Sequence, residues 1–401
     1  MSDLDRLREA FERGTRIRPD ATEPNFIDLV RAVAALAGVD QLERSPNSRA
    51  MSDAIGEPEH IVFVLADGLG THFIEDELGA GSWIARHLVQ PIRSVYPSTT
   101  SAAITSLATG RWPGTHSIVG WWNYLPQLGE PAVILPFLRL SDGVPLQECS
   151  DLTAADVIGH PALVSQMTRD TAVVQPRAII NSAYSTYLGA GARRIAYDNL
   201  SEAVGAIATL VRDAPRPTYT YWYVPHVDHQ AHEHGCTSSE VRAALLEVDA
   251  SVAALAGRLQ GASARIVLTA DHGHLDASAR IPLAGDDPLC DHLRAAPSGD
   301  MRLSFFHVRR GEHEAFEGEF RSRFGDHFVL ITTEELDELR LLGPDPLSDE
   351  TRRRVGDYAA VSLDASVLRY TGGFDGDNFM HQRSHHSGLS SREMTVPMVV
   401  G

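Results

Sequence analysis

Lysine is absent from this chain, and all 35 basic residues are arginine. We read that as a compositional bias of the source genome and attach no function to it. Cysteine is scarce as well: Cys149, Cys236 and Cys290 stand far apart and form no C-x-x-C pair. That spacing excludes a disulfide framework and a cysteine-rich zinc site, and it fits a reducing cytoplasm. No apolar run approaches the roughly 18 residues that would cross a bilayer. Met1 to Arg18 is rich in Asp, Glu and Arg and lacks the apolar core of a secretory leader, so a cytoplasmic chain without membrane contact is expected. With 53 acidic residues the net charge is -18, which argues against a general surface for large nucleic acids. An acidic protein still takes an anionic substrate where metal ions supply local positive charge.

What is present is ordinary globular composition, 43% hydrophobic and 22% charged over 401 residues. That is enough for one large α/β domain with an insertion, or for two domains. Helical spacing marks residues 2 to 14 and 26 to 37. The continuous apolar run from Ile61 to Ala66 reads as a strand buried on both faces inside a parallel sheet, and it ends at Asp67-Gly68. Two further runs end in the same way: Thr218 to Val224 before Pro225-His226-Val227-Asp228, and Arg265 to Ala270 before Asp271-His272-Gly273. Strands alternating with helices imply an α/β sheet, and such sheets bind ligands beyond the carboxyl ends of their strands. Three strands therefore deliver acidic residues to one sheet edge. Residues 276 to 370 differ in texture, with a strand-like Leu303 to Val308 and charged helical segments near 312 to 323 and 333 to 341. The expected organisation is an N-terminal helical segment over 1–58, a catalytic core over 59–275, a cap-like insertion over 276–370 and a return to the core over 371–401. Val396 to Val400 would complete the sheet.

The ligand inventory is specific. Asp67 follows one strand, Asp271 and His272 follow another, Asp228 and His232 are spaced to reach one ion, and His386 sits in a Ser-His-His-Ser-Gly loop. Carboxylates and imidazoles without thiolates suit zinc or manganese. These six residues are enough for two ions, and two ions can clamp the attacking and leaving oxygens of an in-line phosphoryl displacement. The nucleophile candidates, Thr99 and Thr100, lie in Tyr96-Pro97-Ser98-Thr99-Thr100-Ser101. Ser98 or Thr99 is expected to cap the helix that follows, at whose N-terminus amide groups and dipole favour a phosphate.

Taken in order, the motifs are D-G after the first strand, P-x-x-T with T-G nine and ten residues after the threonine, D-x-x-x-H-x-x-G, D-H-G, and H-x-G-L-S-x-x-E-M-x-V-P. This set resembles the nucleotide pyrophosphatase/phosphodiesterase branch of the alkaline phosphatase superfamily, and is similar to the related phosphonoacetate hydrolases. The resemblance runs from about Ile61 to Pro397, with 276–370 matching only as a cap-like insertion. It implies an alkaline phosphatase-like α/β core, a largely parallel central sheet flanked by helices, and an inserted α+β cap. It implies two divalent ions, zinc or alternatively manganese. One is held by Asp228, His232 and His386, the other by Asp67, Asp271 and His272. Thr100, set by the register to Thr109-Gly110, is then the nucleophile lying between them and itself a metal ligand; His386 is preferred over His385 by the H-x-G-L-S register.

The implied activity is that of a metal-dependent phosphodiesterase or nucleotide pyrophosphatase, hydrolysing small nucleotide-like phosphodiesters through a phosphothreonine. A phosphonate or phosphomonoester hydrolase on the same metals is the alternative. A metal-free binding module on the same fold is a third reading, and the intact set of six ligands plus Thr100 argues against it.

The sequence also departs from the family. The asparagine that steadies a phosphate oxygen in relatives falls at Trp121 here, and Asn123 is the shifted substitute. Trp121 is read as a stacking platform for a nucleobase, with core packing as the competing reading for Trp121 and Trp122. No counterpart of the arginine that grips terminal oxygens in phosphomonoesterases is found, and the C-x-P-x-R sulfatase signature is absent. The other histidines near the motifs, His226, His229, His234, His274 and His385, are read mostly as supporting or surface groups.

Overall fold

The computed structural model describes residues 1–375 and 379–401. Two seven-stranded sheets organise the chain. The first is the expected α/β layer. Its strands, in spatial order, are Leu88–Arg93, Thr395–Val400, Ala264–Thr269, His60–Ala66, Thr218–Val224, Asp170–Pro176 and Arg193–Tyr197. His60–Ala66 is parallel to both of its neighbours, and Thr395–Val400 is the one antiparallel member. All seven residues of His60–Ala66 are buried, as are all seven of Thr218–Val224. Helices on both faces exclude water from both sides of a central parallel strand, so the strand reads as an unbroken apolar run rather than an alternating one.

Register sets the functional edge. Ala66 pairs with Val224, and Leu65 pairs with Thr269. The three central strands therefore end level, and Asp67, Asp228 and Asp271 emerge beside one another. The Asp67 N–H donates to the Val224 carbonyl at 2.9 Å, and the Asp228 N–H donates to the Asp67 carbonyl at 3.1 Å.

The second sheet is antiparallel throughout. It runs Phe328–Thr332, Tyr358–Ser362, Leu303–Phe306, Ser298–Asp300, Trp122–Leu125, Glu130–Val133 and Leu138–Arg139. It thus joins strands from the 298–362 stretch to a meander at 122–139 that comes much earlier in the chain. The helices His313–Phe324 and Thr333–Glu338 accompany it. Among the described residues, no helix is long and apolar enough to cross a membrane.

The helix Thr100–Thr109 has all ten residues buried. Its sequence, Thr-Ser-Ala-Ala-Ile-Thr-Ser-Leu-Ala-Thr, explains how. The side chains are small, and two of the hydroxyls bond within the helix, Thr105 Oγ1 donating to the Ser101 carbonyl at 2.7 Å and Thr109 Oγ1 to the Thr105 carbonyl at 2.8 Å, while Ser101 Oγ donates to the Gly120 carbonyl at 2.6 Å and Ser106 Oγ pairs with His116 Nε2 at 3.0 Å. Gly110, in the left-handed conformation at φ 67°, ends it.

Candidate active site

The site is assembled from five chain segments that meet past the ends of the parallel strands. Asp67 follows His60–Ala66, and Asp271 and His272 follow Ala264–Thr269. Asp228 and His232 lie one turn apart on the helix His226–His234, which puts both on the same face. His386 follows the short strand Ser384–His385, and Thr100 opens the buried helix. Two glycines of the motifs are required by space. Gly68 has φ 73°, and a Cβ there would meet His274 Nε2 at 2.8 Å and Asp228 Cα at 2.9 Å; a Cβ at Gly273 would meet the Arg392 carbonyl at 2.0 Å.

All six proposed ligands fall into two adjacent groups. Asp228, His232 and His386 offer ligand atoms within 4.8 Å of one another, and so do Asp67, Asp271 and His272. The hydrogen bonds of the histidines decide their tautomers. Nδ1 of His232 donates to the Ser384 carbonyl at 2.8 Å, that of His272 to the Gly273 carbonyl at 3.1 Å, and that of His386 to the Ser98 carbonyl at 3.1 Å. A carbonyl only accepts, so Nδ1 of each ring carries a proton and Nε2 is the atom left to face the site, which is how backbone carbonyls orient metal-binding histidines. Burial pushes the His272 pKa down to about 3, so its ring is neutral across the working range.

The Nε2 of His272 faces two carboxyl oxygens. Asp67 Oδ1 lies 3.4 Å away and Asp271 Oδ2 lies 3.6 Å away. Both oxygens are buried without a hydrogen-bond partner among the described residues. Burial, then repulsion from Asp271 and Asp228, raises the Asp67 pKa well above the carboxylate range; burial, then Asp228, raises that of Asp271 to about 7. A neutral donor atom beside two crowded carboxyls that hold on to protons in the absence of another partner fits a divalent cation, which would take the place of those protons. At the neighbouring group, burial opposes the charge on Asp228, and His232 and His274 more than offset it, holding the carboxyl well below its usual range.

Thr100 Oγ1 donates to His272 Nε2 at 3.1 Å. Thr99 occupies the N-cap position, but no side chain caps the helix. This corrects the expectation that Ser98 or Thr99 serves as the cap. Thr99 Oγ1 donates instead to Asp300 at 2.7 Å, and Ser98 Oγ donates to the Gly388 carbonyl at 2.8 Å. The helix N-terminus beside Thr100 is thereby left without a side-chain acceptor, which suits an incoming anion.

Asn123 is not brought to the cavities. Its amide is fully buried, accepts from the Val119 N–H at 2.8 Å and donates to the Gly120 carbonyl at 2.5 Å, so it locks the 119–123 turn. Trp121 lines both cavities that open at Thr100. One, of about 380 Å³, has Ile104, Leu135, Pro136 and Tyr184 with the polar Gln175 and Ser185. The other, of about 210 Å³, borders Asp228, His232 and His386. A larger open groove of about 1070 Å³, along Val164–Ala172 and Gly205–Thr218, carries none of these groups.

Three further residues touch the site. Tyr223 OH donates a short hydrogen bond to Asp67 Oδ2. His274 Nε2 lies 2.8 Å from Asp228 Oδ1, with Ser384 Oγ at its Nδ1. Asp300 accepts from Thr99 Oγ1 and from the N–H groups of Trp121 and Met301. His274 stands next to D-H-G and was visible as a neighbour of the motif. Tyr223 and Asp300 carried no recognisable signal.

A sequence profile of the type I phosphodiesterase / nucleotide pyrophosphatase family matches residues 61–315. No curated protein matches the chain in sequence. Human ectonucleotide pyrophosphatase / phosphodiesterase 5 is similar in structure, with TM-score 0.62 and 14% identity over 85% of this chain and 87% of that one. An inactive variant of the murine protein in complex with AMP gives TM-score 0.61 at 13% identity, over 84% and 87%. Phosphonoacetate hydrolase from Sinorhizobium meliloti in complex with phosphonoformate gives 0.59 at 19% identity, over 86% and 90%.

Proposed function

The chain belongs to the type I phosphodiesterase / nucleotide pyrophosphatase family, whose members are metal-dependent hydrolases of phosphoester bonds, and on that premise we propose that it cleaves small nucleotide-like phosphodiesters through a phosphothreonine on Thr100. Asp228, His232 and His386 would hold one divalent ion; Asp67, Asp271, His272 and the Thr100 hydroxyl would hold the second. An all-nitrogen-and-oxygen donor set fits zinc, with manganese as the alternative. When bound, such ions neutralise charge on the phosphoryl group and lower the pKa of a hydroxyl they touch.

One observation carries the reading: the Thr100 hydroxyl, 3.1 Å from His272 Nε2, stands at an uncapped helix N-terminus and lines both cavities, one bordered by Asp228, His232 and His386 and the other by Asp67. In the first step a bond forms from Thr100 Oγ1 to phosphorus as the bond to the leaving oxygen breaks, and the leaving alcohol takes up a proton. In the second, water attacks phosphorus, and Thr100 Oγ1 departs and regains its own proton. The pair of steps consumes one water. Positioning is the chain's main contribution, since Thr100 is held by a buried helix and His272 by the Gly273 carbonyl. The larger cavity, apolar with a few polar groups, suits a nucleoside-like group retained on phosphorus, in keeping with the AMP held by the murine relative.

A diester places a second organic group where a monoester has a charged oxygen, and no arginine lines either cavity among the described residues. The test is kcat/KM on bis(p-nitrophenyl) phosphate against p-nitrophenyl phosphate. The diester should be preferred; preference for the monoester would point to the phosphatase reading.

A further inference from the structure

The two cavities differ in which end of the reaction they serve. In an in-line displacement the leaving oxygen lies opposite the attacker. Thr100 Oγ1 is on the side of His272, next to Asp67 and Asp271. The leaving group therefore faces the other acid–histidine group; Asp228 lines both cavities, and His232 and His386 line the smaller of the two.

The walls of that cavity are Trp121, Trp122, Met301 and Phe379, with the Asp300 carboxylate and Gln382 among them. None of the described lining residues is an arginine, the chain has no lysine, and residues 376, 377 and 378 are by sequence Gly, Asp and Asn. Arg369 does not line the cavity. Its guanidinium stacks 3.7 Å from the Trp122 ring centroid and pairs with Asp375, so its charge is matched within the wall. The Gln382 side-chain carbonyl is buried without a partner among the described residues. It is an acceptor in want of a donor. A phosphate leaving group would bring several negative oxygens against Asp300 and, among the described lining residues, would find no side-chain cation beside it, with only the ion that Asp228, His232 and His386 would hold to offset them. A neutral or cationic alcohol would meet aromatic faces and a free acceptor instead.

We infer that the smaller cavity is the leaving-group subsite and that it selects an alcohol bearing no negative charge, so that the enzyme cleaves phosphodiesters and discriminates against pyrophosphate bonds. This rests on the Thr100 reading above. Thr100 takes the phosphoryl group, and the excluded leaving group is a phosphate or pyrophosphate.

The test holds the retained group constant. Thymidine 5′-monophosphate p-nitrophenyl ester and thymidine 5′-triphosphate both leave thymidylate on phosphorus, and the full-length zinc-loaded protein is assayed on each. The ester should exceed the triphosphate in kcat/KM by about a hundredfold or more, the scale of like-charge juxtaposition in a closed site. Gln382→Arg should narrow that ratio by about tenfold or more by supplying one cation. His229→Arg, at a lining position with a side chain 71% exposed, does the same where the buried change fails to fold. A second readout is independent of turnover: tryptophan fluorescence of Thr100→Ala should be quenched saturably by benzyltrimethylammonium, and Trp121→Ala should remove much of that response. Triphosphate cleavage as fast as ester cleavage overturns the inference while leaving the diesterase reading intact. Hydrolysis of p-nitrophenyl phosphate with neither nucleotide touched removes the diesterase reading, and this inference with it.

Discussion

Thr99 and Thr100 carry the same side chain in adjacent positions, and the fold gives them opposite surroundings. The Thr99 hydroxyl supplies a donor to the buried Asp300 carboxylate, whereas that of Thr100 points to His272. Thr99→Ala should therefore destabilise by about 1–3 kcal/mol, the cost of leaving a buried acceptor short of a donor. A urea midpoint unchanged from wild type would show that Asp300 does not depend on Thr99. Asp228→Ala should remove one ion of two in metal analysis of the purified protein, because His232 and His386 alone keep only two of three protein donors. Retention of two tightly held ions would contradict the ligand assignment. At this scale the chemistry-bearing types were legible in sequence, since Asp67, Asp271 and His272 follow apolar runs directly. Asp300 was not. Its partner Thr99 is 201 residues away, and no local pattern announces a contact of that span.

Among elements, the loop that carries His386 is held from the antiparallel sheet. Arg302 and Glu393 form an ion pair with both side chains fully buried, at 2.7 Å. Arg302 also donates to the carbonyls of Ser366 and Asp364, and Glu393 accepts from the N–H of Gly388 and from Ser390. Ser387, next to His386, donates its N–H to the Ser98 carbonyl at 2.8 Å, so the same loop is tied to the segment that precedes Thr100. Arg302→Met leaves Glu393 charged and unpaired in the interior, and should cost about 3–5 kcal/mol in chemical denaturation. A loss under about 1 kcal/mol would show that the pair is replaceable. The parallel strands were readable because burial on both faces writes a continuous apolar run. The composite antiparallel sheet was not, because Trp122–Leu125, Glu130–Val133 and Leu138–Arg139 are too short for an alternating pattern to stand out and pair into a sheet whose other strands lie beyond residue 297.

For the whole molecule, metal and proton compete for the same buried carboxylates. Asp271, its pKa raised to about 7, and Asp67, raised as well, hold protons in the chelated protein that the unfolded chain releases near pH 4, and that contribution to stability is lost as pH rises toward 7. The buried rings of His72, His116 and His272, pushed down to about 3, act in the opposite sense, because the unfolded chain protonates them below about pH 6.5. Divalent ions take the place of the carboxylate protons, so the stability they add should grow from pH 4 to pH 7, and each site saturated at a hundred times its Kd adds about 2.7 kcal/mol. Thermal unfolding with and without chelator across that range checks this, and a gap between the two that narrows with rising pH would contradict it. The central claim is that Thr100 is the group that takes the phosphoryl. Its most direct test is turnover of bis(p-nitrophenyl) phosphate by Thr100→Ala protein shown to retain its metal. A loss of about three orders of magnitude or more in kcat is predicted; turnover near the wild-type rate would contradict it.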